Sequence, residues 1–458
     1  MPADALIGLD VGTSGVKGVA IDRNGKVLAV AEEPYPLSTP RPGWAEQDPE
    51  DWWRASQRVL AQLPPGPVGL DGQMHGLVVL GEHDEVLRPA ILWNDQRTGA
   101  ECEEIERRIG LDRLIQLTGN RALPGFTAPK LLWLQRHEPE VHARIRHTLL
   151  PKDYVRFRMT GERTIDAADA SGTLLFDVAN RRWSEEVCAA IDVPLDWLPA
   201  ASESTVIGTA GDQAAGALGV GIVAPGVLSV VLGTSGVVFA VLPAYKPDPQ
   251  ARVHVFCHAV PDTWHAMGVM LSAAGSMSWL RDVVGAKYGA LDDEAAAWAP
   301  GVEGLLFAPY LAGERTPHVD PDARGAFTGL SLRHDRGALA RAVMEGVAFG
   351  LRDSLELLRE LGVEATVGRV SGGGARSELW VRITASALGV PLERMQLEEG
   401  AAYGAALLAG VREGVFADAA DAVSRCVRVR GRIEPEWNYD QEYARFRELY
   451  PALRPFEN

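Results

Sequence analysis

Short apolar bursts, each closed by a glycine turn, open the chain. Residues 5–12 (ALIGLDVG) read as a buried strand and TSGVKG as the turn after it; 19–33 (VAIDRNGKVLAVAEE) read as two strands joined at Asn24-Gly25. The same rhythm returns at 227–242 (VLSVVLGTSGVVFAVL). The tetrapeptide GTSG stands at 12–15 and again at 233–236, each time behind one apolar run and ahead of another. One strand–turn–strand context used twice points to an internal duplication. It places a boundary near 222–226 and divides the chain into halves 1–222 and 223–458.

Helical spacing appears later. Val343, Val347, Leu351, Leu355 and Leu358 share one face of a helix expected over 341–361, with Gly362 as its stop. A second helix is expected over 377–388, ended by Gly389, and a third over 401–411, whose small residues suit close packing. The tail after residue 430 reads as a terminal helix. Strands and helices mix throughout, so the class is α/β. Between Asp212 and Lys246 no residue is charged, but Pro225 and the GTSG turn interrupt the run. Two buried strands around a tight turn explain it better than a membrane span.

A chain of 458 residues exceeds one ordinary core, which agrees with two domains. Its net charge of -16 disfavours a nucleic-acid partner and means that any phosphate ligand must be held locally, by backbone amides and a cation. The four cysteines are scattered, and the N-terminus lacks a basic segment followed by an apolar one; both point to a reduced, cytoplasmic protein. A homodimer is left open.

The candidate chemistry sits at glycine-rich junctions. In 9–18 (LDVGTSGVKG), Asp10 ends a buried strand and a Gly/Thr/Ser turn follows, which suits amide and hydroxyl contact with phosphate and a water-linked Mg²⁺. Neither GTSG fits the phosphate-loop or dinucleotide fingerprints. Asp212 follows the β-branched run Thr205, Val206, Ile207 and precedes small residues able to open a helix. At such a strand-to-helix junction it reads as a general base or as an N-cap, and the residues alone leave both open. GQMHG (72–76) holds Met74 and His75 between glycines, and SGGGARS (371–377) offers bare backbone to a purine or phosphate. GERTPH (313–318) reads as a rigid, salt-bridged loop. HEPEVH (137–142) has the wrong histidine spacing for a zinc helix.

Taken in order, these segments resemble the FGGY carbohydrate kinases from residue 6 to residue 410. IGLDVGTSGVKG, GQMHG, LRPAILWNDQR, GFTAPKLLWLQRHEPE, LLPKDYVRFRMTG, GDQAAGALGVG, LGTSGVVFA, PYLAGERTPH and GGGARSELW carry the resemblance. GQMHG, WND and GFTAPKLLWL point to its pentulose branch. The resemblance implies two ribonuclease-H-like domains of the actin and hexokinase superfamily around a cleft that takes ATP, Mg²⁺ and a small sugar. It implies a sugar side and first phosphate hairpin in 1–222 and a nucleotide side in 223–458. Thr13, Ser14, Gly233, Thr234, Ser235, Gly373 and Gly374 would contact ATP, Asp10 would be linked to Mg²⁺, and Asp212 would be the base. Met74, His75, Asp212 and Gln213 would bind the sugar, expected to be D-xylulose, with ribulose, gluconate or another polyol as alternatives. A binding protein without catalysis and an actin-like or chaperone ATPase are the readings outside this class. The stretch from Leu198 to Asp212 is shorter than the family pattern, right beside the proposed base.

Overall fold

The structure, a computed structural model, describes residues 5–397 and 400–456. Two mixed sheets organise it. The first is built from β1 (Leu6–Val11), β2 (Gly15–Ile21), β3 (Val27–Pro34), β4 (Val68–Gly72) and β5 (Thr209–Gly211) in the order β5-β4-β1-β2-β3. The second uses β6 (Val227–Leu232), β7 (Gly236–Leu242), β8 (His254–Cys257), β9 (Trp264–Met270), β10 (Val367–Ser371), β11 (Leu392–Met395) and β12 (Val429–Ile433). Its order is β8-β9-β7-β6-β10-β11-β12. In both, an antiparallel three-strand meander adds two parallel strands beside its first strand. This shared plan is the duplication that the repeated GTSG predicts.

Eight helices position the site: α1 (Pro49–Leu60), α2 (Thr127–His137), α3 (Pro151–Thr160), α4 (Asp212–Gly219), α5 (Ala274–Val284), α6 (Arg336–Glu360), α7 (Glu378–Leu388) and α8 (Gly400–Arg412). Local chemistry sets several ends. Asp335 caps α6 by accepting the Ala338 N–H, and Ser377 caps α7 by accepting that of Trp380. Gly389 closes α7 in the left-handed conformation. The predicted face of α6 is fully buried in the second core.

Period-two alternation splits the first sheet cleanly. Ile7, Leu9 and Val11 face a core shared with α1. Gly8 and Asp10 point the other way, as do Gly69 and Asp71 on β4, since the parallel register pairs Gly8 with Gly69 and Asp10 with Asp71. On that face α8 and α4 lie directly on the strands. A Cβ on Gly8 would stand 1.7 Å from the Ala402 carbonyl oxygen, and one on Gly69 would stand 2.0 Å from that of Ala405. Gly404 meets the Ala215 carbonyl just as closely, at 1.9 Å. The chain changes sheets at 220–226, between α4 and β6, yet α8 and the helix Ala419–Cys426 return to the first sheet.

Two expectations change, and a third holds. The strand before Asp212 is not the β-branched run: Ser204–Ile207 forms one helical turn, and the strand is Thr209–Gly211, set by pairing with Leu70–Gly72. The tail is not helix alone. Val429–Ile433 pairs antiparallel with β11, and only then does the helix Asp440–Arg447 follow, packing Tyr439, Tyr443 and Phe446 into the second core. The uncharged stretch after Asp212 is α4 and the β6–β7 hairpin. Among the described residues, no helix is long and apolar enough to cross a membrane.

The edge of β8 is covered by the first half. Asn120 Nδ2 donates to the Val255 carbonyl (2.9 Å), and Ser171 Oγ accepts the Cys257 N–H (3.1 Å). We expect Gly8→Ala to cost about 2–3 kcal/mol, because its methyl meets backbone rather than a movable side chain. Gly99→Ala, with open space around it, should stay within about 0.5 kcal/mol. Urea denaturation of the two variants checks both.

Candidate active site

A row of carboxylates lies at the carboxyl ends of the first sheet's parallel strands. Asp10 ends β1, Asp71 stands beside it on β4, Ala210 continues the row on β5, and Asp212 opens α4 immediately after Gly211. Asp10 and Asp212 are partly exposed, whereas Asp71 is fully buried. Burial pushes Asp10 up to about 6, partly offset by a hydrogen bond with Asp71 and by the Lys17 charge. Asp71 is held well above the carboxylate range by burial and then by the charges of Asp10 and Asp212. Asp212 rises to about 7, first through burial and then through Asp10; the backbone and side-chain amides of Gln213 pull the other way. Gln213, expected to touch the sugar, thus holds the carboxylate beside it.

The two GTSG turns are braced differently. In the first, the Gly12 N–H bonds to the Gly15 carbonyl (3.1 Å) and the Tyr35 hydroxyl to the Gly12 carbonyl. Gln47 Nε2 donates to the Thr13 carbonyl (2.7 Å), and Gln73 Nε2 to Gly12 (3.2 Å) and to Gln47 Oε1 (3.1 Å). Trp93 Nε1 donates to the Thr13 hydroxyl (2.9 Å), and the Ser14 carbonyl accepts the Tyr35 N–H (3.3 Å). The second turn rests on the start of α5: the N–H groups of Ala273 and Gly275 reach the Thr234 carbonyl, and that of Ala274 reaches Gly233. Gly233 and Thr234 line a cavity of about 530 Å³ with Asp292, Trp380, Gly373 and Gly374. A second cavity of about 610 Å³ runs from Asp212 and Gln213 past Ser229 to Arg394, and the two share Gly373 and Arg376. Ser235 completes the second turn, between Thr234 and β7.

Met74 and His75 follow β4, and Met74 reaches the residue before Asp212. His75 adopts a positive φ of 68°, and its carbonyl accepts bonds from Lys130 Nζ (2.8 Å) and Thr127 Oγ1 (3.0 Å), both on α2. Lys130 is fully buried and also binds the Gly125 carbonyl; burial lowers it to about 7. His75 Nδ1 lies 2.6 Å from the Gly172 carbonyl, which fixes the proton on Nδ1 and leaves Nε2 free to accept. Burial lowers the ring to about 3, so it is neutral. Met74 packs against Gly211, the residue before Asp212. The loop between the two glycines therefore carries one buried thioether and one pinned imidazole.

Beneath the row lies a fully buried ion cluster that the motifs do not reveal. Lys152 Nζ stands 2.5 Å from Asp153 and 2.8 Å from both Asp166 and Asp169. The three carboxylates have the spacing of a metal site, but the ammonium fills it. Burial alone would lower Lys152, and the three charges outweigh it and hold it well above its usual value. Asp166 also accepts the Thr209 hydroxyl (2.9 Å) and that of Ser204 (3.4 Å). The short segment before Asp212 is thereby tied to α3.

The loop 313–318 is held by amides rather than by the expected salt bridge. Glu314 Oε1 accepts the N–H groups of Leu271 (3.0 Å) and Arg315 (2.8 Å), and burial pushes it up to about 8. His318 stacks on Tyr450 of the tail at 3.6 Å. In 137–142, His137 stacks on Trp133 and His142 meets Trp197 edge-on, so the two histidines serve packing.

Comparison with known proteins agrees with this architecture. Residues 5–242 match the N-terminal domain of the FGGY family of carbohydrate kinases, and residues 228–413 match its C-terminal domain. A xylulose kinase of Escherichia coli (strain K12) is 41% identical over 98% of this chain and 99% of its own. The crystal structure of a xyloylose kinase from Brucella ovis superposes with a TM-score of 0.94 at 41% identity, covering 99% of this chain and 100% of that one. A gluconate kinase from Lactobacillus acidophilus superposes with a TM-score of 0.90 at 27% identity, covering 99% and 97%.

Lys152→Met would leave three buried carboxylates without a counter-charge, and we expect it to cost about 3–5 kcal/mol at neutral pH. Asp153 is already raised to about 6 by burial, so its ionised form opposes folding. That penalty is absent below the unfolded carboxyl pKa and grows as pH rises through the folded value. The variant's melting temperature should therefore climb toward wild type between pH 7.5 and pH 5.5 (about two units of acid), as calorimetry would record.

Proposed function

The chain belongs to the FGGY family of carbohydrate kinases, and on that premise we propose that it transfers the γ-phosphoryl group of ATP to O5 of D-xylulose, with Asp212 as general base. The observation that carries this reading is the placement of Asp212: it opens α4 beside Asp10, its carboxylate is held by Gln213, and it faces the cavity that runs to Gly373. The name of the Escherichia coli relative supports the sugar. The units we propose are 1–222, with the sugar loop and first hairpin, and 223–458, with the nucleotide cavity, strapped together by α8.

Phosphoryl transfer needs alignment and charge neutralisation more than covalent chemistry. Asp212 takes the proton from the sugar O5; the O5–Pγ bond forms as the bond from Pγ to the bridging oxygen breaks, and ADP leaves with that electron pair. The amides and hydroxyls of Thr13, Ser14, Gly233, Thr234 and Ser235 hold the phosphate chain, and Gly373 and Gly374 let the nucleotide lie against bare backbone. His75 Nε2 accepts from a sugar hydroxyl, while Met74 fills the apolar side of the sugar pocket. The oxygen donors of the Asp10 carboxylate suit a hard divalent cation such as Mg²⁺, which would offset charge on the β- and γ-phosphates.

Asp212→Asn should fold normally and lose about 10²- to 10⁴-fold in kcat. Because Asp212 works as its carboxylate and sits at about 7, kcat/KM should fall as pH drops below that value. An ADP-release assay over a panel of D-xylulose, ribulose, gluconate and other polyols reads both effects and the substrate. Near-normal turnover in the variant would remove Asp212 as base, and turnover only with gluconate would move the substrate and keep the mechanism.

A further inference from the structure

Asp71 has no role in the mechanism above, and its surroundings are unusual for a carboxylate. It is fully buried, and no N–H or hydroxyl among the described residues donates to either of its oxygens. Its one neighbour within hydrogen-bonding reach is the Asp10 carboxylate, itself an acceptor unless the two share a proton. Parallel register sets the two side by side on adjacent strands, on the same sheet face, at the edge that opens toward Asp212.

The two lysines whose charges reach the pair also serve other carboxylates. Lys152 already faces three carboxylates at 2.5–2.8 Å. Lys17, opposite Asp10 on β2, pairs with Glu32 at 3.3 Å. Their charges lower Asp10 and Asp71 only in part, and burial still holds both carboxyls above their ordinary range. Adjacent strands lie about 4.8 Å apart, a span that one small cation with oxygen ligands at about 2.1 Å can bridge. Only oxygen donors converge there, which selects a hard divalent ion over zinc or copper.

We propose that Asp71 is a second carboxylate ligand of the site's divalent cation, bridging it jointly with Asp10. This rests on the assignment of Asp10 to the cation in the preceding section. Asp10 meets the ion from the cleft and Asp71 from the buried side, so the ion is anchored in the first lobe before any nucleotide arrives. Binding opens the Asp10–Asp71 contact, and any proton the pair shares leaves to solvent.

The test is titration of the full-length protein with Mn²⁺ alone, with free ion measured by electron paramagnetic resonance. Wild type is compared with Asp10→Asn and Asp71→Asn, and melting temperatures are recorded with and without the ion. We expect each variant to weaken Mn²⁺ binding by about tenfold or more, the range seen when a metal-site partner is lost. Asp71→Asn without metal should melt no lower than wild type, since it removes a buried carboxyl whose oxygens lack donors, and the rise in melting temperature on adding Mn²⁺ should shrink. Wild-type Mn²⁺ affinity in Asp71→Asn alongside loss in Asp10→Asn overturns this inference and leaves Asp10 as the cation's aspartate. Wild-type affinity in Asp10→Asn overturns the earlier assignment and this one with it. Should Asp71→Asn fail to fold, Asp71→Ser carries the same comparison.

Discussion

Contact between bare backbones holds this molecule in its working shape. Gly8 and Gly69 remove side chains from one level of the first sheet, and α8 settles there with its carbonyls against the strands. Gly404 and Gly219 repeat the device between α8 and α4: a Cβ on Gly219 would stand 2.2 Å from the Gly400 carbonyl oxygen. No larger residue fits these seams. Because α8 comes from the second half of the chain, the seams also join the two halves. One level further along the same strands stand Asp10 and Asp71, and Asp212 begins α4 beside them. The carboxylate row exists because the glycine row lets the helices come that close.

Charge is managed in two layers. The protein carries a net charge of -16, and Asp10, Asp71 and Asp212 gather part of that acid in one place, so the proposed mechanism leaves phosphate recognition to backbone amides and hydroxyls in two turns. The buried lysines serve structure. Lys130 pins the carbonyl of a residue with positive φ, and Lys152 gathers three aspartates under the row. Through Asp166 that cluster also reaches Ser204 and Thr209, which anchors the segment before Asp212.

The duplicated turns have diverged in support. The first is cross-braced by side chains from 35, 47, 73 and 93, and the second by successive amides at the start of α5. Trp93, one of the braces of the first turn, is 45% exposed, whereas the bonds bracing the second turn run from backbone to backbone. The asymmetry accords with the proposed roles, a sugar loop in the first half and a nucleotide cavity in the second.

What the sequence determined alone is what short-range rules govern. The two GTSG hairpins, the Asn24-Gly25 turn, the face of α6 and the stop of α7 at Gly389 follow from turn chemistry and periodicity within a few residues. The family resemblance added roles for Asp10, Asp212, Met74 and His75, and the fold brings Asp10 and Asp212 into one row. Other features required the tertiary structure. The β-branched run 205–207 became a helical turn because pairing with Leu70–Gly72 favoured Thr209–Gly211 as the strand. Val429–Ile433 became a strand because β11 offered an open edge. Asp71, Gln47 and Lys152 are ordinary polar letters in the sequence, since a buried charge or amide takes its meaning from partners dozens of residues away. Local preference fixes a turn, but only packing decides which carboxylates share one desolvated space and what must neutralise them.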